Sequence, residues 1–338
     1  MFTVFQGETG AEVWLKAADY LVESESDVQD SRNGPTKEVL HAVFAIHDPT
    51  QRWVLNRRPA MNPAFAIAEV IWILSGRHDS AFLNYWNPVL PKFQGEGPQY
   101  HGAYGYRLRR SFGVDQISRA YHALSANPDS RQVVLQIWSA RLDLPSSNGS
   151  PVDKDIPCNL MSLLKVRNKR LEWMQIMRSN DLVRGVPHNF VQFTTLQEVM
   201  AGWLGVAVGS YHQISDSLHV YSKDLVDEVR ERELVVEQNT DSLLLPRSKS
   251  LDAVEHLGTA LERMADDSIS ELELRSIAHP TRLPTAYANM LLVCGADAAR
   301  RRAWHTVSED LVRDCTNPVL CQAWERWHDR KEQLGCIG

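Results

Sequence analysis

A mixed α/β fold carrying an extra helical C-terminal part is what this sequence predicts, and three observations predict it. Short runs rich in branched and aromatic residues, such as NLMSLLKV and RLEWMQIM, alternate with apolar stretches long enough for helices. One such stretch, PAFAIAEVIWILSG (63–76), opens on proline and stops at glycine, the residue types that begin and end helices. From about residue 251 onward the chain becomes charge-rich and helix-like.

The elements follow in order. Residues 9–23 (TGAEVWLKAADYLVE) carry apolar positions at helical spacing, whereas VLHAVFAIHD alternates as a strand does. The helix over 63–76 is mostly buried and takes one carboxylate, Glu69, with it. RQVVLQIW is expected as a strand; LPSSNGSPVDKD (144–155) is then a cluster of the kind that forms a mobile surface loop, and it leads directly to Cys158. NLMSLLKV and RLEWMQIM are strands flanking Asn168-Lys169, where asparagine tolerates a hairpin turn. HNFVQFTTLQEVMAGWLG is expected as a long buried helix, VAVGSYHQISDSLHVY as a strand, and YSKDLVDEVRER as a further helix. DAVEHLGTALERMADD and the stretch from ADAARRRAW to WERWHDRKEQL continue as helices, with Trp304, Trp324 and Trp327 placed to pack a bundle. The expected organisation is one unit over residues 1–250 and a mostly helical extension over 251–338 packed on it.

Composition excludes several classes. A chain of 338 residues, 43% hydrophobic and 23% charged, has the make-up of a globular protein with a sizeable core. A net charge of -6 argues against a broad basic surface for nucleic acid and leaves a small anion as the better partner. The N-terminus lacks the basic start and apolar run of a signal peptide, and no stretch has the length of a membrane span, so a cytoplasmic location is expected. Five cysteines without CxxC spacing fit neither a disulfide framework nor a zinc site, and free thiols with no metal are expected.

The chemistry concentrates in three short runs: DIPCNL around Cys158, MRSND (177–181) and GVPHNF (185–190). A thiol suits a nucleophile, Arg178 and Ser179 suit phosphate, Asp181 accepts ring N–H donors, and Asn189 offers one acceptor and one donor to an amide-like ring edge. Bland readings stand beside these. A lone cysteine is often a buried structural one, Asn189 at the start of an apparent helix suits an N-cap, and Glu69 in an apolar helix is either satisfied structurally or handles protons with a raised pKa.

Together these runs resemble the thymidylate synthase superfamily, which includes the pyrimidine nucleotide 5-hydroxymethylases, from about Arg32 to Tyr221. The resemblance implies a thymidylate-synthase-like α/β fold with a mixed sheet and packed helices. It implies that Cys158 adds to C6 of a pyrimidine nucleoside monophosphate, that Arg178 favours the thiolate, and that Glu69 organises water and moves protons at the ring. Arg32, Arg131, Arg178 and Ser179 match phosphate positions, Asn189 the ring reader, and His219 and Tyr221 the pair on the sugar hydroxyl. Asp181, Trp86 and Tyr104 match the folate side, the implied folate being 5,10-methylenetetrahydrofolate. In the family the Arg131 position reaches across a subunit interface, so a homodimer with shared sites is implied. Departures are visible too: Gln132 follows Arg131 where the family has a second arginine, Asn159 follows Cys158 where methylating members have histidine, and no apolar closing tail ends the chain. Asp216 is one residue out of step with the family spacing and is not carried over. Asn159 and the missing tail favour a 5-hydroxymethylase of dUMP or dCMP over a thymidylate synthase. The alternative of another class is a nucleotide-binding regulator without catalysis.

Overall fold

In the computed structural model, described for residues 1–24, 28–31, 34–226 and 229–335, the strands form one mixed sheet. They are β1 (Thr3–Gly7), β2 (Val28–Gln29), β3 (Thr36–Ile46), β4 (Val134–Gln136), β5 (Asn159–Arg167), β6 (Arg170–Met177), β7 (Asn180–Asp181) and β8 (Ala207–Tyr221). The order is β1-β3-β8-β6-β5-β4, with β2 on β3 and β7 on β8. β8 is the axis of the sheet, antiparallel to β3 and parallel to β6. The β5–β6 hairpin turns at Asn168 and Lys169, both at positive φ (52° and 57°), as a two-residue turn of that twist requires.

The helices are α1 (Gly10–Glu23), α2 (Pro63–Leu74), α3 (Ser80–Trp86), α4 (Pro91–Gln94), α5 (Tyr104–Tyr106), α6 (Gln116–Ala126), α7 (Ala140–Asp143) and α8 (Gly185–Leu204). The C-terminal part adds α9 (Arg247–Ala265), α10 (Glu271–Ala278), α11 (Thr285–Arg301), α12 (His305–Asp314) and α13 (Pro318–Gly335). None of the described helices is long and apolar enough to cross a membrane.

Two helices position the site. Asn62 caps α2 by accepting from Phe65 N at 3.1 Å, proline occupies the first turn, and every residue of α2 except Glu69 is buried. α8 packs against β6, β8 and α2, and ends at Gly205 in the left-handed region (φ 65°). The C-terminal helices share the core of the rest of the molecule: α9, α11 and α13 all pack on α2, and Trp324 and Trp327 are buried there.

Three expectations need correction. YSKDLVDEVRER forms no α-helix among its described residues, which include the 3₁₀ turn Ser222–Asp224. Its charged groups are drawn to other elements, Asp224 to Arg184, and Arg230 and Arg232 to Asp19. RQVVLQIW contributes only Val134–Gln136 to the sheet, because the amides of Ile137 and Trp138 both donate to the Leu160 carbonyl and the ladder stops at that irregularity. The long buried helix starts at Gly185, three residues before the expected His188, so Asn189 lies within its first turns and is not an N-cap.

Candidate active site

Cys158 stands where the 144–158 segment enters β5, and it is half-buried. Arg178, just past β6, clasps this entry. Its amide donates to the Cys158 carbonyl at 2.9 Å, its Nε to Pro157 O at 3.0 Å and a terminal nitrogen to Ile156 O at 3.0 Å. A fixed cation thus lies against the thiol-bearing segment. Most of 144–152 is exposed, but the segment is anchored at its end, where Asp155 accepts the Gly102 amide at 2.7 Å. A Cβ on Gly102 would lie 2.7 Å from the Asp155 carbonyl, so only glycine allows this approach. Burial pushes the Asp155 carboxyl up to about 6.

Tyr104, two residues beyond Gly102, brings the halves of the site together. Burial keeps its hydroxyl protonated, and the negative potential of Cys158, Asp155 and Glu69 adds to that. Opposite it, α2 presents Glu69 and α8 presents His188, Asn189 and Gln192, the last three on one helical face by their spacing. Burial raises the Glu69 carboxyl to about 7, and a hydrogen bond from Gln192 offsets this only in part. Glu69 Oε2 lies 3.6 Å from His188 Nδ1, and neither atom has a hydrogen-bond partner. Burial, with the Arg57 charge adding to it, lowers His188 to about 3, so its imidazole is neutral. Asn189 is buried and donates from Nδ2 to Gln192 Oε1 at 3.0 Å, and its Oδ1 is unpartnered.

Asn159 completes this side. It is fully buried, Gln175 holds its Oδ1 at 2.8 Å, and its Nδ2 is left without a partner. Native interiors rarely leave such atoms unpaired, so a cluster of them calls for water or a ligand as partner. Four occur here: Glu69 Oε2, His188 Nδ1, Asn189 Oδ1 and Asn159 Nδ2.

The remaining expected residues divide into two groups. Ser179 Oγ lies 3.5 Å from His219 Nδ1, and the His219 and Tyr221 rings meet edge to face at 5.6 Å on one side of β8. Asp181, paired with His219 across β7 and β8, receives Val183 N and Arg184 N at 2.8 Å on one oxygen, and the Arg184 guanidinium at 3.1 Å on the other. Its second oxygen keeps one acceptor position open. Others stand apart. Trp86 is fully buried in the core, beneath the carbonyl on which Asn62 and Arg301 converge. Arg131 is exposed near the sheet edge, Asp216 is exposed and pairs with His41, and Arg32 lies outside the described residues. Cys294 and Cys315 are buried, Cys321 is half-buried, and none of the described cysteines forms a disulfide.

Sequence reasoning missed Gln192 and undervalued His188. Counting one helical turn on from Asn189 points to Gln192, but the facing of His188 and Glu69 joins two helices far apart in the chain and has no local signal.

The thymidylate synthase family model matches residues 14–281 of this chain. The deoxyuridylate hydroxymethyltransferase of Bacillus phage SP01 is 37% identical over 235 residues, 66% of this chain and 60% of that protein. The enzyme of the same name from Pseudomonas phage M6 is 34% identical over 214 residues, 62% of this chain and 60% of that one. A putative thymidylate synthase of Methanothermobacter marburgensis is 30% identical over 216 residues, 62% of this chain and 89% of that protein. The match with each of these two phage relatives thus spans 60% of the relative's length.

Proposed function

This chain belongs to the thymidylate synthase family, and on that premise we propose that it transfers a one-carbon unit to C5 of dUMP and releases the 5-hydroxymethyl nucleotide. The observation that carries this reading is the group of unpaired buried atoms on Glu69, His188, Asn189 and Asn159 on the Cys158 side of the candidate site. An amide acceptor and an amide donor suit the edge of a uracil, and an acidic group near neutrality suits proton traffic at its ring.

Cys158 forms a bond to C6 of the ring, and the displaced electron pair makes C5 nucleophilic. Arg178 steadies the nucleophile's segment and, with Ser179 and Arg131, meets the phosphate. His219 and Tyr221 hold the sugar hydroxyl, and Asn189 reads the ring edge. Glu69 moves the proton that leaves C5.

The family implies a folate, which we take to be 5,10-methylenetetrahydrofolate. The residues present fit it in part: Asp181 offers its open acceptor position and Tyr104 a half-buried ring, whereas Trp86 is enclosed by the core. When bound, the folate supplies a carbon at the oxidation level of formaldehyde.

A homodimer fits the sheet. The row Val4, Val43, Ile214, Ile176 and Met161 runs across the face away from α8, and Val4 is 56% exposed. A second copy on that face would cover it and bring Arg131 toward a neighbouring site. The reaction would proceed in the cytoplasm, with the unit over residues 1–250 catalytic and the helices after it an extension.

Mass spectrometry of the product from dUMP and methylenetetrahydrofolate tests the reading. A mass gain of one CH2O unit is expected. A methylated product with stoichiometric dihydrofolate would make the protein a thymidylate synthase instead, and tight nucleotide binding with no product would make it a regulator.

A further inference from the structure

His188 has no task in the reaction described so far. Its ring sits edge-on to Phe65 at 5.2 Å, packing that a phenyl ring in its place would also satisfy. Yet it turns Nδ1 toward Glu69 Oε2, and the 3.6 Å between them is too long for a good direct hydrogen bond. Both atoms are buried, and neither has another partner. Two unpaired polar atoms facing each other across such a gap are the setting for a bound water. The same end of α8 carries Asn189, whose unpartnered Oδ1 belongs to the candidate ring-reading group.

We propose that His188 and Glu69 together hold the water that adds to the one-carbon unit on C5, with His188 as a positioning residue that selects hydration over reduction. The inference rests on the hydroxymethylase reading above. The two acceptors take the two hydrogens of the water and leave its oxygen lone pairs free for the exocyclic methylene carbon. An oxygen–carbon bond forms, the exocyclic π pair shifts into the ring as an enolate, and one water proton passes to Glu69. Collapse of the enolate restores the C5–C6 double bond and expels Cys158 as the thiolate. The neutral state of His188 is what makes Nδ1 available as an acceptor.

By microscopic reversibility the same step can be watched without folate. The enzyme should exchange the hydroxymethyl oxygen of 5-hydroxymethyl-dUMP with oxygen-18 water. His188→Phe keeps the ring packing and should slow this exchange by about ten- to a hundredfold. Tritium release from 5-tritiated dUMP with methylenetetrahydrofolate, which reports the earlier loss of the C5 proton, should fall much less. His188→Gln, whose amide oxygen can accept in place of Nδ1, should recover part of the exchange.

Unchanged exchange in His188→Phe would overturn the assignment. So would an equal fall in both readouts for both variants, which is the signature of a merely structural histidine. A wild-type protein that releases tritium but exchanges no oxygen would remove the role of the water and of His188 together. One that does neither would overturn the functional reading itself.

Discussion

Two clusters of polar side chains lie beside α2, and they treat their hydrogen-bonding atoms differently. Where α11 and the start of α13 meet the segment leading into α9, Asp241 accepts from Asn289 at 2.9 Å and from Asn317 at 2.7 Å. Asn317 also donates to Asn239 at 2.7 Å, and Asn289 accepts the Thr316 amide at 3.1 Å. None of these residues has an unpartnered buried atom. Between α2 and α8, by contrast, Glu69, His188 and Asn189 each leave one open. The first cluster is a lock, since its polarity is spent within the protein, and it ties the C-terminal helices to the core. The second leaves its polarity unspent within the protein, and folding bears its desolvation cost.

The largest effect expected on this contrast is at the nucleophile. Cys158→Ser should lower turnover on the order of 10³-fold or more. Nucleotide affinity measured by calorimetry should stay close to wild type, because the phosphate and sugar contacts do not use the thiol. Near-normal turnover would refute the covalent route.

Glu69→Gln should lower kcat by about 10² to 10⁴-fold and at the same time stabilise the protein. The folded pKa of Glu69 lies near 7, above the ordinary 4.5, so its neutral form is favoured by the fold. The stability gained from that form is fully present below pH 4.5 and lost as pH rises toward 7. At pH 8 the glutamine variant should therefore be the more stable protein by about 2–3 kcal/mol, and the difference should vanish in acid. Denaturant melts at both pH values check this. A Gln variant less stable than wild type at pH 8 would mean that Glu69 is satisfied after all and that the contrast between the clusters is mistaken.

At the satisfied cluster the expectation is the reverse. Asn317→Ala leaves Asp241 short of a donor and should cost about 2–3 kcal/mol of stability. Its kcat/KM per folded molecule should be unchanged, which activity assays below the melting range would establish.

The smallest effect sharpens the site. Asn189→Asp replaces the amide Nδ2 of the ring-reading side chain with an acceptor and should shift preference from dUMP toward dCMP by about 1–2 kcal/mol. The ratio of kcat/KM for the two nucleotides reads it directly. If wild type already prefers dCMP, Asn189 does not set ring choice.

What was legible in the sequence follows the range of the forces involved. The strands β5, β6 and β8 and the helices α1, α2 and α9 could be read locally, because side-chain alternation and helical spacing reflect a face buried along each element. The Asn168-Lys169 turn was legible because asparagine tolerates the left-handed backbone it adopts. The stretch after Tyr221 was misread as helix, since its charged side chains take partners in α1 and near the start of α8 that no local pattern announces. Motif order alone pointed to Cys158, Arg178 and Asn189, as each run carries several chemically constrained residues side by side.

Other facts had to wait for the tertiary structure. That Glu69 titrates near 7 depends on how completely α8 and its neighbours exclude water from it, and desolvation is a property of the assembled surroundings. That Arg178 braces the backbone leading into the nucleophile depends on β5 and β6 pairing in register. The meeting of His188 and Glu69 depends on the packing of α8 against α2, two elements more than a hundred residues apart in the chain. The sequence by itself determined which side chains the chain owns and which face of each element is apolar. Which polar atoms end without a partner was decided only in three dimensions, because a hydrogen bond is satisfied or left open by groups whose separation in space has no relation to their separation in sequence.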